Sequence, residues 1–119
     1  MRNNTENNHS AVYKIESQNE INYISRRKEY KDGQYEGILI NGKRELRGIM
    51  NYKKGGKYED QWKNDKRQGK GVFISQNYNN PNLTGIKYEG EFNNDKIEGY
   101  GIGKYSSGDI YEGEWNNNK

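Results

Sequence analysis

Acidic and basic side chains recur at fixed spacings along this chain, and they are the first candidates for chemistry. Glutamates follow tyrosines at Glu36, Glu59, Glu89 and Glu112, and a lysine lies seven residues after each of them. A carboxylate pair that performs general acid–base catalysis converges on one place, whereas a repeated row has the same neighbours each time. We therefore expect the glutamate row to provide solubility and cross-strand pairing with lysines.

The sequence contains few residues suited to other kinds of catalysis or ligand binding. The only histidine, His9, lies in an Asn-rich segment, and the absence of cysteine excludes disulfides and thiolate ligands. The stretches "GKG" and "GYGIG" lack the spacing of a Walker loop or a dinucleotide fingerprint. No spacing typical of metal ligands occurs. We predict that the chain is not an enzyme and uses no metal or cofactor.

Composition limits the fold and the partners. Of the 119 residues, 29% are hydrophobic and 31% charged, yet 13% are aromatic, with eleven tyrosines and fifteen glycines. Such a chain has too few aliphatic residues for a two-layer core, while disordered chains are usually poor in aromatics. The net charge of +3 is interspersed, which predicts no nucleic-acid partner. The N-terminal "MRNNTENNHS" is no secretory signal, and no apolar run is long enough to span a membrane, so we expect an intracellular, cytoplasmic protein.

An internal repeat organises these residues. Tyrosines that precede an acidic residue stand at 35, 58, 88 and 111, so the intervals are 23, 30 and 23, and the longer one contains an insertion at about 77–84. Fixed offsets from each tyrosine carry a bulky apolar residue, an Asn-rich pair, a lysine and a glycine followed by a β-branched residue. Agreement in so many columns identifies a true repeat.

Each unit alternates with period two, which predicts strands, and its Asn-rich pair suits a tight hairpin turn. The recurring glycines are explained if an aromatic ring lies across the neighbouring strand where no Cβ interferes. The fold class is therefore all-β: an elongated single-layer antiparallel sheet of stacked β-hairpins. We divide the chain into a disordered tail (1–12), a degenerate repeat (13–34) and an array (35–119), whose units are 35–57, 58–87, 88–110 and the partial 111–119.

The phrases "KYEDQWKNDKRQGKGVF" and "YEGEFNNDKIEGYGIGKYSSGDIYEGEW" resemble MORN repeats (membrane occupation and recognition nexus). The resemblance covers residues 35–119, with departures at Leu46 and Asp60, where glycines are expected, and at the insertion. It implies an elongated, twisted single-layer sheet with an aromatic-lined groove, and settings such as membranes, phosphoinositides, the cytoskeleton and cilia. MORN arrays also accompany phosphatidylinositol phosphate kinases and a histone methyltransferase, so a targeting segment of a larger enzyme is one alternative.

Two surfaces are candidates for function. A single layer cannot cover both of its faces, and an exposed aromatic patch usually marks a protein partner site. The predicted partner groove consists of Tyr35, Tyr58, Trp62, Phe73, Tyr88, Phe92, Tyr105, Tyr111 and Trp115. The alternative is a peripheral membrane anchor that binds anionic phospholipids through a basic edge beside the hairpin turns. That edge consists of Lys43, Arg44, Lys66, Arg67, Lys96 and Lys119.

The last unit stops at its hairpin turn, which predicts an unpaired edge strand. We expect either continuation in a longer chain or an end-to-end homo-oligomer.

Overall fold

The computed structural model describes residues 11–12, 24–76, 78 and 85–117, which form one sheet of nine strands. The strands lie in chain order and every neighbouring pair is antiparallel. They are β1 (Ala11–Val12), β2 (Ile24–Tyr30), β3 (Gly33–Ile40), β4 (Lys43–Tyr52), β5 (Lys57–Lys63), β6 (Lys66–Ile74), β7 (Ile86–Asn93), β8 (Lys96–Tyr105) and β9 (Ile110–Trp115).

The predicted fold class is confirmed: the described residues form an all-β, elongated, open antiparallel sheet of hairpins, with extents of 48 × 27 × 23 Å. The predicted tail at 1–10, the start of the degenerate repeat at 13–23 and most of the insertion at 77–84 lie outside the described residues. Ala11 and Val12, which we assigned to the tail, pair with Ser25 and Ile24.

The Asn-rich pairs form the hairpin turns between β3 and β4, β5 and β6, and β7 and β8. Asn64 and Asp65 have φ angles of 52° and 71°, and Asn94 and Asp95 have 53° and 71°. Both central residues of a type I′ turn need positive φ, which Asn, Asp and Gly tolerate best. The turn pairs read from the sequence are therefore the turns of the fold.

Tyrosine rings lie across glycines of the following strand, as predicted. A Cβ built on Gly71 would stand 2.2 Å from Tyr58 Oη, and one built on Gly101 would stand 2.3 Å from Tyr88 Oη. Only a residue without a side chain can occupy these places. Tyr35 lies across Gly48 in the same way. This stacking gives the sheet a core on one face, which we call the aromatic face.

The second strand of each hairpin carries a bulge, which the sequence did not indicate. Register shifts fall between Gly37 and Leu39, Asp60 and Trp62, and Gly90 and Phe92. The bulged residue has positive φ: 91° at Gly69, 103° at Gly99 and 60° at Leu46. Leu46, which departs from the repeat pattern, thus holds the same backbone geometry as the two glycines.

The opposite face carries the glutamate row, and its expected cross-strand pairing with lysines is wrong; the lysine beside Glu59 is Lys57 of the same strand, at 3.8 Å. Glu59 lies between Ile49 and Val72 on the neighbouring strands, and Glu89 lies between Val72 and Ile102. The β-branched column occupies the positions on both sides of Glu59 and of Glu89, so lysines cannot stand directly opposite these two glutamates. Within the described residues, one glutamate of the row has a basic residue across from it, Glu36 opposite Arg27.

Candidate functional site

The aromatic face is built from one continuous zigzag of edge-to-face rings. The centroid distances are 5.0 Å for Tyr58–Trp62, 4.9 Å for Tyr58–Phe92, 5.3 Å for Tyr88–Phe92 and 5.1 Å for Tyr88–Trp115. All these pairs have interplanar angles between 77° and 87°. Such pairs each contribute about 0.5–1.5 kcal/mol beyond their buried area. Tyr35 extends the zigzag at one end and Tyr111 at the other.

Burial divides the predicted groove residues into two groups. Tyr35, Tyr58 and Tyr88 are fully buried, and Trp62, Phe92 and Trp115 are at most 6% exposed. These six rings are the core of the sheet. Phe73 and Tyr105 are partly buried against that core, and Tyr111 is 46% exposed. A partner on this face would therefore contact mainly the second group.

The core tyrosines hold their hydroxyl protons. Burial raises the pKa of Tyr58 and the pKa of Tyr88 above the ordinary range. Each hydroxyl donates a hydrogen bond to the main-chain oxygen three residues ahead, Tyr58 to Gln61 at 2.6 Å and Tyr88 to Glu91 at 2.9 Å. The hydroxyls are thus structural donors.

Arginine–aspartate clasps join consecutive hairpin turns. Arg44 donates to Asp65 Oδ1 from its backbone nitrogen at 3.0 Å and from Nε at 2.8 Å, and Asp65 N donates back to Arg44 O at 2.9 Å. Arg67 and Asp95 repeat this pattern, with 2.9 Å from the backbone nitrogen and 3.2 Å from Nε. Charge-assisted bonds of this kind are stronger than neutral ones, so the clasps hold the register of one unit against the next.

The clasp arginines also cover aromatic rings. The Arg44 guanidinium lies 4.2 Å from the Tyr30 ring centroid and 4.6 Å from that of Trp62. Its side chain is 15% exposed, and that of Arg67 is 23% exposed. These two residues of the predicted basic edge are therefore held by hydrogen bonds and ring contacts within the fold, and their side chains cover part of the aromatic face.

The clasp arginine is replaced at the third junction, and a depression lies there. The column that holds Arg44 and Arg67 continues with Ile97, which is 9% exposed, and the aspartate column continues with Asn118. Beside Ile97 the aromatic face opens into a cavity of about 530 Å³. Its lining is mostly apolar and includes Phe73, Ile86, Phe92, Ile97, Tyr105 and Trp115, with Arg67 and Asp95 at the side of the preceding clasp.

The predicted basic edge retains its lysines. Lys43, Lys66 and Lys96 are exposed and each begins the second strand of a hairpin. Lys43 Nζ donates to Asn64 Oδ1 at 3.2 Å, and in the described part of the chain no carboxylate lies within ion-pair distance of these three lysines. Lys119 lies outside the described residues.

Sequence reasoning missed Ile86, Ile97 and the two clasp aspartates. A signal for the clasps was present, since Arg44 and Arg67 share one repeat column and Asp65 and Asp95 share another. The arginine is lost in unit 88–110 and the aspartate is lost in the next unit, 111–119, so that both partners of one junction are replaced, which also marks Ile97. Without the register, however, the sequence does not place these two columns in contact.

Catalytic constellations are not apparent in the part of the chain that the structure covers. Residues 24–76 and 85–117 contain no group of three or more acidic or histidine side chains that could hold a metal ion. No helix in the described chain has the length and apolar character needed to cross a bilayer.

Stacked hairpins with a ring-over-glycine core and repeating clasps define the class: a β-hairpin repeat protein of the single-sheet type. A scan against protein-family models matches the MORN repeat at residues 58–80, 88–110 and 111–119. The chain belongs to the MORN repeat family, which is generally a non-enzymatic repeat module. A search of curated proteins found no match.

Proposed function

We propose that this protein is a non-catalytic scaffold that binds a protein partner through the apolar depression of its aromatic face. The observation that carries the proposal is the replacement of the clasp arginine by an apolar residue at the third junction. Ile97 stands where the other units have an arginine, and about 530 Å³ of mostly apolar space lies beside it. Binding sites are typically concave and apolar with a few convergent polar groups.

The depression suits an apolar segment that also carries a polar group. Phe73 and Tyr105 are partly buried and offer aromatic area, which is prominent in interface hot spots. Arg67 and Asp95 provide a charged pair at the side. The expected ligand is a peptide or helix that inserts one or two apolar side chains and directs a backbone or side-chain hydrogen bond towards that pair.

The other repeat units suggest a variant in which an arginine side chain should narrow the depression, and we call it the closed variant. Ile97→Arg with Asn118→Asp restores the residue types of the other two clasps, so the fold should tolerate the change. A random peptide library is selected on the natural chain, and the affinities of the selected peptides are then measured for both proteins. Ile102→Thr, which alters the opposite face, is the matched control.

Selected peptides should share apolar anchors, lose at least about tenfold in affinity for the closed variant, and bind the Ile102→Thr control normally. Equal affinity for the natural chain and the closed variant would refute the depression as the binding site.

A second candidate function rests on the exposed lysines. Lys43, Lys66 and Lys96 recur every two strands along one edge, which spaces them about 10 Å apart. Anionic lipid attracts such residues with about 1 kcal/mol each near the surface. Sedimentation with anionic and neutral liposomes tests this function. Pelleting with anionic vesicles alone, lost in a variant with the three lysines changed to glutamate, would support a membrane anchor, and no pelleting would exclude it.

A further inference from the structure

Two neighbouring rows of side chains cross the strands on the face opposite the aromatic face. Cross-strand neighbours define the first row, which includes Glu29, Lys57, Ile74 and Lys87. The second row lies two residues away on each strand and includes Arg27, Glu59, Val72 and Glu89. Because side chains alternate between the two faces of a sheet, both rows point to this opposite face.

The second row is the complement of the first, strand by strand. Strands β5 and β7 each carry a lysine in the first row and a glutamate in the second, and β2 carries the same two charges in the reverse order. Strand β6, between β5 and β7, carries a β-branched apolar residue in both rows. Exchanging the two rows therefore brings opposite charges together and apolar residues together.

These side chains are accessible to a partner. The side chains of Lys57 and Glu59 are 43% and 54% exposed, and their ion pair within β5 measures 3.8 Å. An ion pair this exposed contributes little to stability, so both groups remain available. Val72 and Ile74 are half-buried. The described residues form one sheet, and no second layer among them covers this face.

A two-fold axis running across the strands, between the two rows, performs the exchange. It lays the first row of one copy on the second row of the other, with each strand facing its own counterpart. We propose that the opposite face binds a second copy of this chain in this arrangement. Lys57 then faces Glu59 of the second copy and Lys87 faces Glu89, and each contact occurs twice because the interface is isologous.

The other two-fold arrangement with aligned strands is opposed by charge. An axis running along the strands over β6 would lay each row on itself. Lys57 would then face Lys87 of the second copy, and Glu59 would face Glu89. Like charges directly opposite one another are destabilising, so the rows specify one orientation of the two copies.

The interface in this arrangement has an apolar centre between charged strands. Ile74 faces Val72 of the second copy on β6, and the lysine–glutamate contacts of β5 and β7 lie on either side, as in typical interfaces. Two rows over the seven strands β2–β8 cover roughly 30 Å × 15 Å on each copy. The total buried area of about 900 Å² is at the low end for specific interfaces, which predicts a weak dimer.

A charge-exchanged variant tests this arrangement without altering composition. It carries Lys57→Glu, Glu59→Lys, Lys87→Glu and Glu89→Lys, so its two rows still complement each other, but like charges meet wherever it faces the natural chain. Sedimentation equilibrium up to about 0.5 mM measures the self-association of each protein. Native mass spectrometry of a mixture, with one protein isotope-labelled, counts the mixed dimers.

Both proteins should dimerise alone, and mixed dimers should fall at least about fivefold below their statistical share. A natural chain that stays monomeric at the highest concentration would overturn the proposal. Mixed dimers at the statistical share would also overturn it, because the association would then use another surface, such as the strand edges.

Two simpler variants keep the test decisive if the exchanged strands weaken the fold. One carries Lys57→Glu with Lys87→Glu, and the other carries Glu59→Lys with Glu89→Lys. Each alone should dimerise at least about tenfold more weakly than the natural chain, while their equimolar mixture should form mixed dimers. The absence of mixed dimers would refute the facing of the two rows.

The matched control changes the same net charge at the hairpin turns. Lys66→Glu with Lys96→Glu alters two exposed lysines outside both rows and should leave the dimer unchanged. If this control weakens the dimer as much as Lys57→Glu with Lys87→Glu, net charge governs the association and the proposal is wrong.

Discussion

The ring-over-glycine core leads to a prediction that runs against ordinary residue preferences. In a strand interior, alanine is normally about 0.5–1 kcal/mol more stable than glycine. At Gly101, however, the added Cβ would stand 2.3, 2.4 and 2.5 Å from Oη, Cζ and Cε1 of Tyr88. Ordinary carbon contacts are about 3.5–4.0 Å, so the ring has to move by roughly 1 Å.

Movement of the Tyr88 ring has definite costs. It breaks or stretches the hydrogen bond to Glu91 O, worth about 0.5–1.5 kcal/mol. It also disturbs the edge-to-face contacts with Phe92 and Trp115, worth about 0.5–1.5 kcal/mol each. After the intrinsic gain of alanine is subtracted, Gly101→Ala should lower the free energy of unfolding by about 1–3 kcal/mol.

Urea unfolding followed by tryptophan fluorescence measures this change, with the slope m as the check for two-state behaviour. Tyr88→Leu provides the matched background, because a leucine side chain is too short to cross Gly101. In that background Gly101→Ala should be neutral or stabilising. Equal destabilisation in both backgrounds, or none in the natural chain, would refute the explanation of the glycine column.

Three further predictions concern strain and titration. Asp60 has a φ of 123° where other units have glycine, so Asp60→Gly should raise the free energy of unfolding by about 1 kcal/mol in urea melts, and a decrease would count against backbone strain there. Burial alone would raise the pKa of Asp65, but the Arg44 hydrogen bonds and the charges of Arg44 and Lys28 hold it below its usual range. Stability should therefore be lost as pH falls below about 4. In thermal melts, Asp65→Asn should make the melting temperature depend less on pH in this acidic range. Burial raises the pKa of Tyr58, so its protonated side chain contributes to the stability of the fold below pH about 10, and this contribution is lost as pH rises further. Circular dichroism should show alkaline unfolding, and Tyr58→Phe should move that unfolding to higher pH.

Period-two alternation, the Asn-rich pairs and the glycine columns predict the hairpins, the turns and the tyrosine-over-glycine contacts from the sequence alone. These features depend on local backbone preference and on residues one strand away, so they recur wherever the pattern recurs. Asn64-Asp65 and Asn94-Asp95 are turns because both residues tolerate positive φ. The family resemblance rests on the same local columns.

The bulges and the clasps follow from the register between units, which the sequence does not state. Gln61 Oε1 accepts from Lys70 N at 2.7 Å and Glu91 Oε1 accepts from Tyr100 N at 3.1 Å, so a polar side chain fills each of these bulges. In the first unit the residue equivalent to Gln61 and Glu91 is Ile38, which is fully buried, and the bulged residue is Leu46 where the other units have glycine.

Period-two alternation and the repeated columns thus determined the all-β hairpin array and the chemistry available to it, because both depend on near neighbours in the chain. Only the tertiary structure decided which aromatic rings are core and which are accessible. Burial depends on how many strands flank a ring. Tyr88 has a strand on both sides and is covered, whereas Tyr111, which begins the same Tyr-Glu-Gly-Glu sequence, has one flanking strand among the described residues and is exposed.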